Sequence, residues 1–240
     1  MSGNAAPEAS TPGDNARRHA LLLLFCAYAI NYIDRQIVTI LQEPIKADLS
    51  LSDTQLGLLT GLSFALFYAT MGVPVARLAD RHPRRTVIAG ATLLWSAMTM
   101  ACAGAFNFVS LLLCRMGVGV GEAGLSPPAH SLISDYYPPE RRAAALGIYS
   151  SGIQVGVMLG FLLGGTINHY FGWRAAFLVV GLPGLVLAAL IRFTMREPPR
   201  SDSDSAREPV VEGMATAMRR LWRVRPFRLV ALACGFHTLV

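Results

Sequence analysis

Six separate apolar runs, each long enough to cross a bilayer, set the limits on what this chain can fold into. They lie at about residues 19–41, 56–76, 87–106, 108–133, 143–167 and 175–194. A hydrocarbon core about 30 Å thick needs about 20 helical residues at 1.5 Å each, and each run meets that length. Lipid offers no partner for backbone N–H and C=O groups, so runs of this length predict helices. The predicted fold class is therefore an all-α membrane protein with six transmembrane helices plus the start of a seventh near Phe227. The chain stops at Val240, inside that seventh run, which predicts a fragment or truncated product. With 53% hydrophobic and 15% charged residues and a mean hydropathy of +0.44, an ordinary soluble domain is excluded.

The basic residues fix the orientation. Of the 21 Lys and Arg, seventeen fall in alternate loops, among them Arg17, Arg18, Arg77, Arg81, Arg84, Arg85, Arg141, Arg142 and the run from Arg192 to Arg228. The intervening loops hold only Lys46 and Arg174. By the positive-inside rule the N-terminus is cytoplasmic, in the plasma membrane, or the cell inner membrane if the source is bacterial. The same distribution explains the net charge of +6 without nucleic acid as a partner. Residues 1–18 read as a disordered cytoplasmic tail, 19–195 as a six-helix body, 196–225 as a cytoplasmic linker and 226–240 as the start of the seventh helix. The linker closes on MATAMRRLWRVRPF, which fits either a basic amphipathic helix on the anionic leaflet or a solvated loop. A cleaved signal peptide is excluded, because the first run is too long and carries Asp34 and Arg35. The four cysteines are scattered singly through apolar segments, which indicates neither a zinc site nor a disulfide framework, and no metal or cofactor motif is present.

Charges inside these runs point to function. The fourth run, Leu111 to Pro128, places Arg115 and Glu122 seven residues apart on one helix face. Each costs about 2.5–3.5 kcal/mol at mid-membrane on insertion scales, so such residues line cavities or pair with one another. The first run carries Asn31, Asp34, Arg35 and Gln42 on one stripe, with Tyr28 and Tyr32 beside it. Asp34 and Arg115 fall at similar depth from the outer membrane face, which predicts that they pair. Glu122 is then left as a protonatable group, and Arg35 faces a substrate or another acid. Tyr28, Asn31, Tyr32, Phe64 and Tyr68 are the expected cavity wall, together with Phe67. Gly119 to Gly124 matches G-x-G-x-x-G but lies mid-span without a βαβ context, so these glycines are read as sites of close helix approach. Gly152, Gly156, Gly160 and Gly164 form a four-residue ladder, a flat groove for another helix. An enzyme is not expected: Ser126 and His130 sit on one helix one turn apart, and no H-E-x-x-H, G-x-S-x-G or Walker loop occurs.

The second run ends in Leu78-Ala-Asp80-Arg81-His-Pro83-Arg84-Arg85, which resembles the signature loop of the major facilitator superfamily. Ala76 and Pro83 stand where that family carries glycine. The resemblance implies that Asp80, Arg81, Arg84 and Arg85 form a cytoplasmic charge latch between the two halves of a twelve-helix transporter. Arg115 with Gly119 and Gly121, the segment Asp135 to Arg142, and Gly172-Trp173-Arg174 with Phe177 are similar to further family segments. Asn31 to Arg35 and Gly121-Glu122-Ala123 resemble the Spinster-like branch. The family implies two three-helix inverted repeats, no cofactor, and secondary active transport by alternating access. It also implies coupling to protons and amphiphilic lipids such as lysophospholipids or sphingoid phosphates as substrates, with organic anions or sugar acids as the alternative. The implied partners are a small-molecule or lipid substrate, protons, the bilayer, and the missing C-terminal half or a second copy meeting the glycine ladder. A half that transports nothing by itself, as a fragment or an assembly subunit, is the remaining alternative.

Overall fold

The computed structural model describes residues 13–198 together with 219–220, 222–226 and 228–229, with no account of the side chains of 62–66, 69 and 73. Most of the predicted tail, most of the linker, most of the seventh run and the side chain of Phe64 lie outside the described residues. Every described element is helical: α1 (Asp14–Ile40), α2 (Gln42–Leu49), α3 (Asp53–Gly57), a π-helical turn (Leu58–Leu62), α4 (Ser63–Arg81), α5 (Arg84–Cys102), α6 (Phe108–Glu122), α7 (Ser126–Tyr136) and α8 (Pro139–Thr194). The described residues separate into a body ending at Pro199 and a second unit, in which residues 219–220, 222–223, 225–226 and 228–229 are helical.

These elements give the six expected spans. The first is α1; the second is α3, the π turn and α4; the third is α5; the fourth is α6 followed by α7. The fifth and sixth are the two halves of α8, 139–171 and 173–194. They are separated at Gly172, whose φ of 80° and ψ of 169° no L side chain adopts comfortably. By length and composition α1, the α6–α7 pair and α8 are able to cross a membrane, at mean hydropathies of 1.3, 1.5 and 2.2. Local sequence sets the helix starts. Ser52 and Gln55 cap α3 reciprocally, and Asn107 and Ser110 do the same for α6, so orphan N–H groups at both starts find partners. Leu22, Leu93, Leu113, Phe161, Leu162, Leu182 and Phe193 point outward and are more than half exposed, as a lipid-facing surface requires.

Helix pairing shows the repeat. Gly152, Gly156, Gly160 and Gly164 of the fifth span press against α1: a Cβ at Gly152 would lie 3.0 Å from Phe25 O, and one at Gly164 2.9 Å from Ile37 Cδ1. Gly124 of the fourth span presses on Val75 of the second. Gly117 and Gly121 meet the third span, while Gly181 and Gly184 bring the sixth onto it. His19 Nε2 and Thr194 Oγ1, 2.8 Å apart, tie the first span to the sixth. Exchanging spans one to three with four to six turns the first–fifth contact into fourth–second, and third–fourth into sixth–first. Third–sixth maps onto itself. The contact pattern is that of two inverted three-helix repeats. It also corrects one expectation, because the ladder groove is already filled by α1 and is not a surface for the second half or a second copy.

Candidate functional site

Two charged regions emerge, one at mid-body and one at the arginine-rich end. At mid-body α1 carries Tyr28, Asn31, Tyr32, Asp34 and Arg35, and α6 carries Arg115 midway along it and Glu122 at its last turn. α6 lies close to α5 because a Cβ at Gly121 would come within 2.7 Å of Trp95 N, a distance no larger residue tolerates. Arg35 Nε donates to Glu122 Oε2 at 2.7 Å. The Glu122 side chain is fully buried, whereas Arg35 keeps 24% of its side-chain surface exposed. The guanidinium lies over two phenol rings, 5.0 Å from the centre of Tyr32 and 4.8 Å from that of Tyr68. Cation–π contacts of this kind add to the ion pair.

The expected Asp34–Arg115 pair is corrected. Asp34 is wholly buried and close enough to Arg115 and Glu122 for their charges to act on it, yet neither of its oxygens accepts a hydrogen bond among the described residues. The direct pair is Arg35 with Glu122, so Arg35 does face an acid, and Glu122 is not the isolated carboxyl that depth matching implied. The reason is rotation about the helix: depth was legible from residue counts, but Asp34 and Arg35 differ by about 100° around α1. Asn31 Nδ2, Glu122 Oε1, Ser96 Oγ and Thr99 Oγ1 are likewise buried without a hydrogen-bond partner among the described residues. Buried polar atoms left open in this way mark places for water or ligand.

The aromatic wall extends beyond the expected residues. Tyr28 meets Tyr32 edge-on at 5.2 Å and stacks on Tyr149 at 4.3 Å, and His130 packs edge-on against Tyr149 at 5.5 Å. Tyr149 was missed, although its signal was present: it lies one turn before Gly152 on the ladder stripe, the face that meets α1.

At the arginine-rich end, Arg84 is 3% exposed and forms ion pairs with Asp135 and Glu197. Its Nη1 also donates to Ser131 Oγ at 2.8 Å. The Glu197 carboxylate accepts from the backbone N–H groups of Arg84 and Arg85 at 3.0 and 2.9 Å, and Arg85 Nη1 donates to Met195 O at 2.9 Å. Thus Arg84 and Arg85 join the ends of the third, fourth and sixth spans within one six-helix body. Asp80 and Arg81 are exposed beside this network. Glu197 was missed because it lies beyond the last apolar run, just before Pro198, where no helical period marks it. At the opposite end Asp48 accepts from Trp173 Nε1 at 3.2 Å and from Arg174, whose Nη2 donates to Ala105 O at 3.1 Å. This clasp holds α2, the third–fourth turn and the start of the sixth span together.

Six spans in two inverted repeats, with paired charges and open polar atoms at mid-body, define a six-helix membrane body with a polar interior. The major facilitator superfamily model matches residues 24–240, and the chain belongs to that family. A protein described as an MFS-type efflux pump from Mycolicibacterium smegmatis is 36% identical over 97% of this chain and 55% of its own length. The hexuronate transporter of Bacillus subtilis is 34% identical over 75% of this chain and 42% of its own. A crystal structure of a bacterial homologue of the human lysosomal transporter Spinster, inward-facing and occupied, superposes with a TM-score of 0.76. It is 43% identical and covers 84% of this chain and 49% of that one. Within the family the chain is Spinster-like, and it spans about half the length of the relatives it matches.

Proposed function

We propose that the protein containing this half is a proton-coupled secondary transporter that works by alternating access. Its proposed substrate is an anionic amphiphile such as a lysophospholipid or sphingoid phosphate. The observation that carries this reading is Arg35, half enclosed by Tyr32 and Tyr68 and held by Glu122. A phosphate or carboxylate entering the cavity competes with Glu122 for the guanidinium, whose planar fork suits either group. Glu122, buried and deprived of its partner, is then neutralised by a proton, because an unpaired charge in that position is strongly unfavourable. Substrate and proton therefore favour each other's binding, which is the linkage a symporter needs. Asp34, buried near Arg115, is the second carboxylate that a proton can neutralise. The stacked Tyr28 and Tyr149 offer apolar surface beside the charge.

A second reading, sugar-acid transport, is favoured by the similarity to the hexuronate transporter and by the same anion-binding arginine. The one-sided arginines support a cytoplasmic N-terminus, and the proposed location is the plasma membrane. The opposite wall of the cavity belongs to the second six-helix half. Uptake of labelled lysophospholipid and of labelled hexuronate by the full-length protein in proteoliposomes, with and without an inward proton gradient, separates the two substrates. Uptake of neither above empty vesicles overturns the anion reading, and uptake indifferent to the gradient overturns proton coupling.

A further inference from the structure

The hairpin formed by α5 and α6 brings together two thiols that the sequence shows as isolated. The glycine contacts fix its antiparallel register. A Cβ at Gly121 would lie 2.7 Å from Trp95 N, and one at Gly117 2.7 Å from Met98 Cγ. Each step back along α6 is matched by a step forward along α5, so Cys102 falls opposite Cys114. Both belong to one apolar cluster, Cys102 buried within it and Cys114 partly exposed against it, and the two thiols are neighbours. Both are free. The connecting turn, residues 103–107, holds the helices together here: Ala105 N donates to Cys102 O at 3.1 Å, and the reciprocal cap of Asn107 and Ser110 starts α6 at once.

We propose that Cys102 and Cys114 are a reversible thiol–disulfide pair that staples the third span to the fourth. A disulfide requires Cα atoms about 4.4–6.8 Å apart, which facing positions on helices packed through glycine can reach. Cys114, the more accessible thiol, attacks a disulfide-bearing oxidant and forms a mixed disulfide while one thiol leaves. Cys102 then displaces the second thiol. In total the two cysteines lose two protons and two electrons and gain one S–S bond, and the oxidant is reduced to two thiols. The pair lies at the arginine-poor end, the side on which disulfides persist if the N-terminus is cytoplasmic. The bond would join the last helix of one repeat to the first of the other, independently of any substrate.

The test is mass mapping of the full-length protein in detergent after treatment with 4,4′-dithiodipyridine, an apolar aromatic disulfide. Remaining thiols are blocked with N-ethylmaleimide before chymotryptic digestion. The expected product is a peptide pair joining Cys102 to Cys114 that dithiothreitol separates, in most molecules. Cys102→Ser should leave Cys114 carrying a single pyridyl adduct and no internal link. Separate pyridyl adducts on both residues, unreacted thiols on both, or linkage of either to a different cysteine would overturn the proposal.

Discussion

The mid-body site and the arginine-rich end use the same chemistry, arginine against carboxylate inside a helical protein, in opposite ways. Arg84 is enclosed, pairs with two acids and donates to Ser131 Oγ, and one of those acids, Glu197, is held in turn by two backbone N–H groups. Arg35 retains exposed surface, pairs with the Glu122 carboxylate and lies over two phenol faces. Removing a partner from a saturated network leaves buried charge uncompensated, so such a network holds helices in place. A partly exposed cation can trade its carboxylate partner for a ligand. Degree of enclosure, more than the presence of charge, separates holding from exchanging.

The largest expected effect is on transport. Truncating one partner of a buried hydrogen-bonded charge pair costs about 2–5 kcal/mol, so Arg35→Ala should reduce substrate affinity at least ~30-fold at 1.4 kcal/mol per decade. Glu122→Gln should instead retain binding and lose its dependence on the proton gradient. Substrate binding and gradient-driven uptake, measured on the same reconstituted variants, check both. A Glu122→Gln protein with wild-type coupling would show that the exchange takes place elsewhere. Next comes Arg84→Ala, which strands Asp135 and Glu197 and should destabilise the folded protein by about 3–5 kcal/mol. Thermal unfolding in detergent measures it. If Arg35→Ala lowered Tm more than Arg84→Ala, the division between the two regions would be reversed.

A smaller effect tests the scaffold between them. Gly156 sits so close to α1 that a Cβ would run into Ala29 O and come within 2.7 Å of Tyr32 Cβ. Gly156→Leu should cost about 1–3 kcal/mol as overpacking, and by displacing Tyr32 it should weaken substrate binding as well. A variant that loses stability and keeps wild-type affinity would show that the Tyr32 face does not contribute to the site.

How much of this was legible depended on which coordinate each feature needs. Span number rests on run length and residue type and could be read directly, whereas the two repeats were only implied by the family resemblance. The placement of Arg115 and Glu122 on one face of the fourth span follows from a separation of seven. Pairing across helices requires relative rotation, which no single run encodes, and so Asp34 was matched to Arg115 while the structure joins Arg35 to Glu122. The glycine ladder announced a close helix contact but not its partner. Only the packed structure shows α1 lying in it and Tyr149 carried onto Tyr28. Cys102 and Cys114 looked unrelated for a similar reason, because their proximity depends on the register of a hairpin set by Gly117 and Gly121.

The smallest effect belongs to the clasp at the far end, and it sharpens the comparison by supplying an exposed ion pair. The hydrogen bond from Arg174 holds the Asp48 carboxyl below its usual value of 3.8, with the Arg174 charge and the Trp173 N–H adding to it against some desolvation. A carboxyl depressed in the folded state contributes stability that is present above about pH 3.8 and is lost as pH falls further. Asp48→Asn should therefore lower Tm slightly at neutral pH, and the gap from wild type should close as the pH drops below that value. Both side chains of the pair are nearly half exposed, at 45% for Arg174 and 44% for Asp48, so solvent screens it. Raising the salt to about 1 M, where the Debye length is about 3 Å, should shrink the Asp48→Asn gap and leave the Arg84→Ala gap largely intact. Equal salt sensitivity of the two gaps would mean that burial does not distinguish the networks, and the contrast between holding and exchanging would then have to rest on geometry alone.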